Sequence, residues 1–339
     1  MCSKVNVGVV GLGRIGRLYA NILRLHVPEA RLVAVVDKIC DLARSVAKEV
    51  GAKYYTSLLD MLEKESDLDA VIIATPTYLH RDMVILAADY GKHIFCEKPL
   101  SLSHIDAIDI LKKVRSAGVI LQVGYMRRFD KLYRYAYEII REDLGHILVI
   151  NFVTCDPGVP PKWVFNRRLS GGIFLDMLSH EIDLAMYFAD SKVKTIYASG
   201  TVRYYDEARS GGDLDTAFIS ITFENDAVCN IYGCRGATSE YILVTNIFGK
   251  EGQIQINYNN LKCSSGHSVY VAVLDDYNEP WFIRRFYNAY ISEIKHFIDC
   301  IVKGANPIVG WEEGKKVIDI SEAAWKSVEK KNPIYFQQT

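Results

Sequence analysis

The 339-residue sequence predicts an α/β protein with an N-terminal Rossmann domain and a C-terminal α+β domain. Over residues 1–124, apolar strands alternate with helices, which is the pattern of a doubly wound parallel sheet. A glycine-rich turn joins the first strand to the first helix, as this architecture requires. From residue 125 onward, extended runs are joined by short turns, which indicates an open, mainly antiparallel sheet. We therefore divide the chain into residues 1–124 and 125–339.

Each element of the first domain has its own signal. The predicted strands are continuous apolar runs: Val5–Val10, Arg31–Asp37, Ala70–Thr75, His93–Glu97 and Val119–Tyr125. Ser57 is placed to cap one of the intervening helices, and either Ser101 or Ser103 begins another. Glycines that end helices follow three of them: Gly51, Gly91 and Gly118.

The second domain combines helices with extended runs. Its predicted helices are Lys131–Glu142, Gly172–Ala189, Ile283–Lys303 and Glu312–Glu329. Its predicted strands are Ile147–Thr154, Lys194–Tyr204, Ala217–Phe223, Ala227–Cys234, Tyr241–Phe248, Gln253–Tyr258 and Ser268–Leu274. Turn residues between neighbouring runs favour antiparallel pairing of consecutive strands.

Composition narrows the partners. Half of the residues are hydrophobic, and the net charge of −1 gives no basic field for nucleic acid or a membrane surface. The eight cysteines are scattered without a C-x-x-C pair, so we expect reduced thiols, no metal site and a cytoplasmic protein. Neither a signal peptide nor a membrane span is expected. Small molecules and further copies of the chain remain as partners.

The glycine-rich turn predicts a dinucleotide site. It reads Gly11-Leu12-Gly13-Arg14-Ile15-Gly16 and lies between a strand and a helix. In such a loop the first glycine permits the turn, the second lets a pyrophosphate approach, and the third lets the helix pack closely. The helix N-terminus then presents free N–H groups to the diphosphate, so Gly11, Gly13, Arg14 and Ile15 are candidate cofactor contacts.

Asp37 indicates which dinucleotide is bound. It ends the second strand, where a carboxylate can accept the adenosine ribose hydroxyls. A carboxylate there repels a 2′-phosphate, so NAD is favoured over NADP. Arg14 or Lys38 would instead favour NADP if either side chain reaches the 2′-phosphate; both are otherwise ordinary surface cations.

Two further strand ends lie on the edge of the sheet where ligands bind. Thr75 and Pro76 end one strand, and His80 follows, either as a helix cap or as a cofactor neighbour. Glu97 and Lys98 end the next strand, where the nicotinamide would lie. A lysine at a strand end is otherwise an exposed surface residue.

A second cluster lies on the helix predicted at Gly172–Ala189. Asp176 and His180 are four residues apart, so on a continuous helix they share a face, and Asp183 continues it. Such a pair can hold one ligand between its side chains, although an isolated D-x-x-x-H is more often a surface pair.

Taken together, these motifs resemble the Gfo/Idh/MocA oxidoreductase family over nearly the whole chain. The resemblance rests on the glycine loop, on Glu97-Lys98-Pro99 and on the segment Gly171–His180. Two further segments, Tyr125–Asp130 and Cys155–Pro161, resemble the inositol 2-dehydrogenase branch of the family.

The resemblance implies an NAD-dependent dehydrogenase that acts on a CH–OH group. In that family the lysine matching Lys98 hydrogen-bonds the reacting hydroxyl. The histidine matching His180 is the general base, and the aspartate matching Asp176 orients it and the substrate. Family members associate through the second-domain sheet, which implies a homodimer or homotetramer.

For the substrate, the resemblance implies a cyclic polyol, myo- or scyllo-inositol. Asp156 and either Arg127 or Arg128 would then reach further hydroxyls. Guanidinium groups also bind carboxylates, and one of the two arginines could instead face the cofactor or pair with Asp130. Dehydrogenation of a neutral sugar or anhydrosugar, such as glucose or levoglucosan, and a non-catalytic sugar or NAD sensor are the alternatives.

Overall fold

The computed structural model describes residues 4–236, 241–258, 260–265, 268–273 and 281–336. The chain forms two compact units, one from Met1–Met126 and Asn288–Lys315, the other from Arg127–Tyr287 and Lys316–Thr339. Cys2 and Leu274, which were part of the sequence predictions, lie outside the described residues. None of the described helices is both long and apolar enough to cross a bilayer.

The first unit contains the predicted parallel sheet. Its strands are β1 (Val5–Val10), β2 (Ala30–Val36), β3 (Lys53–Tyr55), β4 (Ala70–Ile73), β5 (His93–Glu97) and β6 (Leu121–Gly124). Its first five helices are α1 (Arg14–His26), α2 (Cys40–Val50), α3 (Leu58–Lys64), α4 (His80–Asp89) and α5 (His104–Ala117). The strand order is β3-β2-β1-β4-β5-β6, with every pair parallel. The short edge strand β3 was not predicted.

The second unit is built on a larger sheet. Its strands are β7 (Ile147–Asp156), β8 (Val193–Thr201), β9 (Thr216–Phe223), β10 (Val228–Arg235), β11 (Ile242–Gly249), β12 (Gly252–Ile256), β13 (Asn260–Ser265), β14 (Ser268–Val273) and β15 (Ile334–Tyr335). Their order is β14-β13-β12-β11-β7-β10-β9-β8-β15. The pair β10–β7 is parallel and the other described pairs are antiparallel, which confirms the predicted, mainly antiparallel sheet. The strands β13 and β15 were not predicted.

Seven further helices follow along the chain; the first five lie in the second unit, and the last two each have residues in both units. They are α6 (Lys131–Glu142), α7 (Arg167–Ser170), α8 (Gly172–Asp176), α9 (Ser179–Ala189), α10 (Asp206–Ser210), α11 (Trp281–Lys303) and α12 (Trp311–Lys330). The prediction of one helix over Gly172–Ala189 was wrong, because the chain divides there into α8 and α9. The N–H of Leu178 bonds to the carbonyl of Ile173, five residues back, at 2.9 Å, and this wide turn interrupts the helical repeat.

The domain division differs from the predicted one at the C-terminal end. The segment Asn288–Lys315 belongs with the Rossmann sheet, although the sequence division assigned it to the second domain. Phe297 packs edge-on against Phe95 of β5 at 5.9 Å, and the N–H of Val123 donates to the carbonyl of Val309. These contacts join residues far apart in sequence, so a change of local pattern near residue 124 could not indicate them.

Three polar side chains lie within the core of the first unit. The hydroxyl of Tyr19 contacts Glu97 and lies 2.8 Å from Glu293 of α11. Burial raises the pKa of both carboxyl groups, and the negative charge of Glu97 raises the pKa of Glu293 further. A phenol has one proton to donate, so the second contact needs a proton from a carboxyl group. Glu97 also accepts the backbone N–H of Lys98, which favours charge on Glu97 and leaves Glu293 as the protonated acid.

We expect Glu293→Gln to fold, because an amide can donate to Tyr19 as the protonated carboxyl does. The folded protein keeps a proton that the unfolded chain releases above about pH 4.3, so the wild-type free energy of unfolding falls as pH rises. The slope is at most ~1.4 kcal/mol per pH unit for one proton. Urea unfolding from pH 5 to 8 should therefore show the variant gaining stability relative to wild type as pH increases.

Glu63→Gln, on the exposed side of α3, is the matched control and should show a difference that does not change with pH. A Glu293→Gln difference that is the same at pH 5 and pH 8 would contradict the protonated assignment.

Candidate active site

The glycine loop has the geometry that a dinucleotide needs. Gly11 adopts a φ of 86°, and a Cβ there would lie 2.8 Å from the carbonyl oxygen of Ala74. A Cβ at Gly16 would lie 1.7 Å from the carbonyl oxygen of Gly11, so no side chain fits. At Gly13, by contrast, nothing lies within 4 Å, and no side chain caps the helix that follows. The N-terminus of α1 is therefore open to a pyrophosphate, which fits NAD.

Asp37 lies beside this loop, and its side chain is partly exposed. One of its carboxylate oxygens accepts the N–H of Leu12 at 2.8 Å, and the other accepts the N–H of Ile39 at 2.9 Å. The first bond ties the loop to the end of β2. Each carboxylate oxygen can accept more than one hydrogen bond, so the carboxylate retains acceptor capacity for ribose hydroxyls.

His80 is fully engaged inside the first unit. It is 1% exposed, and its two ring nitrogens lie 2.8 Å from the carbonyl oxygens of Pro99 and Thr75. Burial lowers the pKa of His80, and the nearby charge of Lys98 lowers it further. The imidazole therefore joins the strand ends that carry Thr75 and Lys98. This placement favours neither cofactor contact nor helix capping, the two roles considered from the sequence.

Glu97 and Lys98 end β5 as predicted. Glu97 directs its carboxylate to Tyr19 and to the backbone N–H of Lys98 at 3.0 Å, and it stays a candidate cofactor contact. The side chain of Lys98 is partly exposed. Thr75 and Pro76, at the end of β4, are also partly exposed and remain candidate cofactor contacts.

In the second unit, Asp176 ends α8 and His180 lies in the first turn of α9. The side chain of Asp176 is 23% exposed, and its Oδ2 lies 3.1 Å from Nη1 of Arg235, which is buried. Asp213, also buried, lies 3.6 Å from Nη2 of the same guanidinium. A carboxylate held by a buried cation and partly open to solvent is suited to accept a hydrogen bond from a ligand hydroxyl.

Asp156 joins this group through the sheet. It ends β7, and the parallel register places it beside Arg235 at the end of β10. Sequence analysis missed Arg235. The available signal was a cation directly after the run Ala227–Cys234, at the same strand position as Asp156. That signal needed the β7–β10 pairing, which the sequence pattern did not predict.

Arg127 and Arg128 are committed to internal ion pairs. Arg127 is 2% exposed and bonds Glu181, and its Nη2 lies 3.2 Å from the hydroxyl of Tyr241. Arg128 makes two hydrogen bonds to Asp183, at 2.8 and 2.7 Å. The placement of Arg127 argues against the predicted substrate contact, because its charge is already matched in the core.

Asp130 was considered as a partner of one of these arginines. Instead, Arg285 of α11 bonds both of its carboxylate oxygens. Asp130 also caps α6 through the N–H of Leu132 at 3.1 Å. The pairing of Asp130 with Arg127 or Arg128, left open by the sequence, is therefore wrong.

Family comparison covers both units. The NAD-binding Rossmann domain of the Gfo/Idh/MocA oxidoreductase family matches residues 5–125, and the family's C-terminal α/β domain matches residues 137–336. The two matches together span most of the chain, which confirms the family resemblance stated from the sequence.

Individual relatives match along almost their full length. A myo-inositol 2-dehydrogenase of Thermotoga maritima is 32% identical over 98% of this chain and 99% of its own. An NAD⁺-dependent scyllo-inositol 2-dehydrogenase of Bacillus subtilis is 33% identical over 98% and 97%. The structure of a Lactobacillus casei scyllo-inositol dehydrogenase with bound NAD(H) and scyllo-inositol is 26% identical, with a TM-score of 0.85 over 98% of this chain and 99% of that one. The chain therefore belongs to the Gfo/Idh/MocA oxidoreductase family and is an NAD-dependent dehydrogenase.

Proposed function

We propose that this protein oxidises one ring hydroxyl of a neutral cyclic polyol, myo- or scyllo-inositol, to the ketone. The observation that carries the proposal is the full-length similarity, at about one third identity, to proteins named as myo- and scyllo-inositol 2-dehydrogenases. We assign the reaction to Lys98, Asp176 and His180. Lys98 belongs to the first unit and the other two residues to the second, so their joint action on one hydroxyl is part of the proposal.

Each of the three groups has a distinct task. NAD supplies the hydride acceptor when bound at the glycine loop. An imidazole nitrogen of His180 takes the hydroxyl proton, for which a histidine suits neutral pH. The ammonium of Lys98 stabilises the developing alkoxide oxygen. Asp176 accepts a hydrogen bond from the substrate and so fixes which hydroxyl faces the base.

Charge matching in the second unit favours a neutral substrate. Four arginines there are at least nine-tenths buried, and each faces a carboxylate: Arg127, Arg128, Arg235 and Arg285. A guanidinium that is already matched in this way is poorly placed to bind a substrate carboxylate or phosphate. Hydroxyl groups, which need only hydrogen bonds, fit better with Asp156 and Asp176 at the strand and helix ends.

The location of the protein in the cell stays a prediction. The seven described cysteines are all free thiols, which is consistent with the reducing cytoplasm.

We expect NADH to appear with myo-inositol or scyllo-inositol and to appear more slowly with glucose, levoglucosan or gluconate. The physical reason is that the proposed site offers hydrogen bonds to a neutral ring, while the four buried arginines of the second unit already face carboxylates. The measurement is NADH absorbance with each compound at equal concentration. Turnover of gluconate alone, or of a phosphorylated sugar alone, would contradict the neutral-polyol proposal.

We expect Lys98→Ala and His180→Ala each to lower kcat by about 100-fold or more while the protein stays folded, since general acid–base groups are typically worth ~10²–10⁴. The matched controls are Lys112→Ala and His146→Ala, which alter exposed residues. Circular dichroism confirms folding, and steady-state kinetics gives the rates. Wild-type turnover in folded His180→Ala would remove this histidine from the mechanism.

The second-unit sheet supports a proposal of self-association. One of its faces exposes four aromatic side chains: Tyr197, Phe218, Tyr232 and Phe248, each at least 36% exposed. Phe218 and Tyr232 are directly paired across β9 and β10. The opposite face of the same strands is fully buried and includes Ile219, Ile221, Phe223 and Ile231.

We expect a homodimer or homotetramer that buries this aromatic face, because an exposed apolar patch of this kind favours association. Light scattering at micromolar concentration should give a multiple of the 38.3 kDa chain mass. Tyr232→Glu should shift the population toward monomer, whereas Tyr90→Glu, an exposed tyrosine of the first unit, should not. A monomeric wild-type protein would show that the sheet face is simply solvated.

A further inference from the structure

Arg235 is the buried cation that faces the Asp176 carboxylate. We propose that Arg235 is a positioning residue, which holds the Asp176 carboxylate in place for the substrate hydroxyl. The inference rests on the proposed function, in which Asp176 orients the reacting hydroxyl. Arg235 itself is 3% exposed, so it acts through Asp176 rather than on the substrate.

The backbone that carries the Arg235 side chain is held in place by hydrogen bonds. Arg235 is the last residue of β10, and its N–H donates to the carbonyl of Asp215 at 2.8 Å. The next N–H, of Gly236, donates to the carbonyl of Asp156 at 2.6 Å. The guanidinium carbon lies 6.0 Å from the ring centre of Phe165. The end of β10 is therefore held on both sides, and the side chain starts from a rigid position.

Asp213 connects the same guanidinium to the start of α8. Its Oδ1 accepts the N–H of Ile173 at 2.8 Å. A Cβ at Gly172, where φ is 73°, would lie 2.6 Å from that oxygen, so this close contact requires glycine. Asp213 thus fixes the first turn of α8 and Asp176 ends the same helix. Because it faces both carboxylates, Arg235 holds the helix that carries Asp176 at its two ends.

The charges of the cluster explain why the cation is needed. Burial raises the pKa of Asp213 to about 6, Arg235 and the N–H groups of Ile173 and Leu214 oppose that rise, and Asp176 adds to it. Without Arg235, these two neighbouring carboxylates would lose the buried cation that faces both of them. Such a pair relieves its repulsion by binding a proton or by turning one carboxylate away. Either change would weaken Asp176 as an acceptor.

The main test is the charge-matched double variant Arg235→Met/Asp213→Asn. The cluster of Arg235, Asp176 and Asp213 has a net charge of −1, and removing one cation and one anion leaves that charge unchanged. The variant therefore separates the effect of positioning from the effect of total charge. We expect kcat/KM for inositol to fall by about 10- to 100-fold, since misplacement near a reacting centre costs on that order. KM should rise, and NADH affinity should be unchanged because the glycine loop lies in the first unit.

A merely structural role would give a different result. Loss of folded enzyme lowers the apparent kcat and leaves KM unchanged, and that outcome would overturn the proposal. Arg285→Met is the matched control for loss of a buried arginine, and we expect lower stability with kinetic constants close to wild type. Arg235→Lys, which keeps the charge, should recover part of the activity that Arg235→Met loses.

A double-mutant cycle tests whether Arg235 acts through Asp176. We expect Arg235→Met to cost little further activity in an Asp176→Asn background. An equal cost in both backgrounds would show that Arg235 acts by another route and would overturn the inference.

The proposed function can fail separately. If wild type oxidises none of the polyols, the proposed substrate is wrong, and urea unfolding of the same four proteins then tests the pairing. If the losses in free energy of unfolding caused by Arg235→Met and Asp176→Asn simply add in the double variant, the pairing is overturned. If the double variant loses much less than that sum, Arg235 remains the residue that positions Asp176, for a different ligand.

Discussion

The matching of buried charges is the interaction on which the second unit depends. A guanidinium or carboxylate taken out of water without a partner is strongly unfavourable, and removing one partner of a buried pair costs about 3–5 kcal/mol. The four buried arginine pairs therefore restrict how the elements that carry them can pack. Four of the carboxylates that these arginines face lie on or beside three helices: Asp130 immediately before α6, Asp176 at the end of α8, and Glu181 and Asp183 within α9.

For α9, the same ion pairs also determine the orientation of His180, the proposed base. Glu181 and Asp183 are both buried and bond Arg127 and Arg128, so the helix cannot rotate about its axis without breaking two ion pairs. His180 precedes Glu181 and lies three residues before Asp183, and its orientation follows from theirs. The arginines first considered as substrate ligands thus fix, from within the core, the helix that carries the proposed base.

Sequence predicted well those features that local chemistry determines. The bounds of β1, β5 and α6 agree with their predicted ranges, and Ser103 is the side-chain cap of α5. The spacing of apolar residues, a capping side chain or a terminating glycine is enough to predict each of these elements. The break between α8 and α9 was missed because the bond from Leu178 to Ile173 leaves no local compositional signal.

Features that depend on distant partners were not predictable in the same way. Arg127 and Glu181 are 54 residues apart, and Arg285 and Asp130 are 155 residues apart. Nothing in the neighbourhood of Arg127 distinguishes a core ion pair from a ligand contact. Similarly, the role of Arg235 follows only from the parallel pairing of β7 with β10.

The two units therefore differ in how their chemistry relates to the sequence. At the glycine loop, the backbone itself makes the site, since Gly11 and Gly16 are required by contacts within a few residues of the β1–α1 turn and the end of β4. Cofactor class follows from that local geometry and from Asp37. In the second unit, Asp176 depends on a cation 59 positions away in the chain (235 − 176), whose own place depends on a strand pairing. If Arg235 positions Asp176 as proposed, substrate recognition in this fold can change through Arg235 and Asp213 while the motifs that mark the family stay the same.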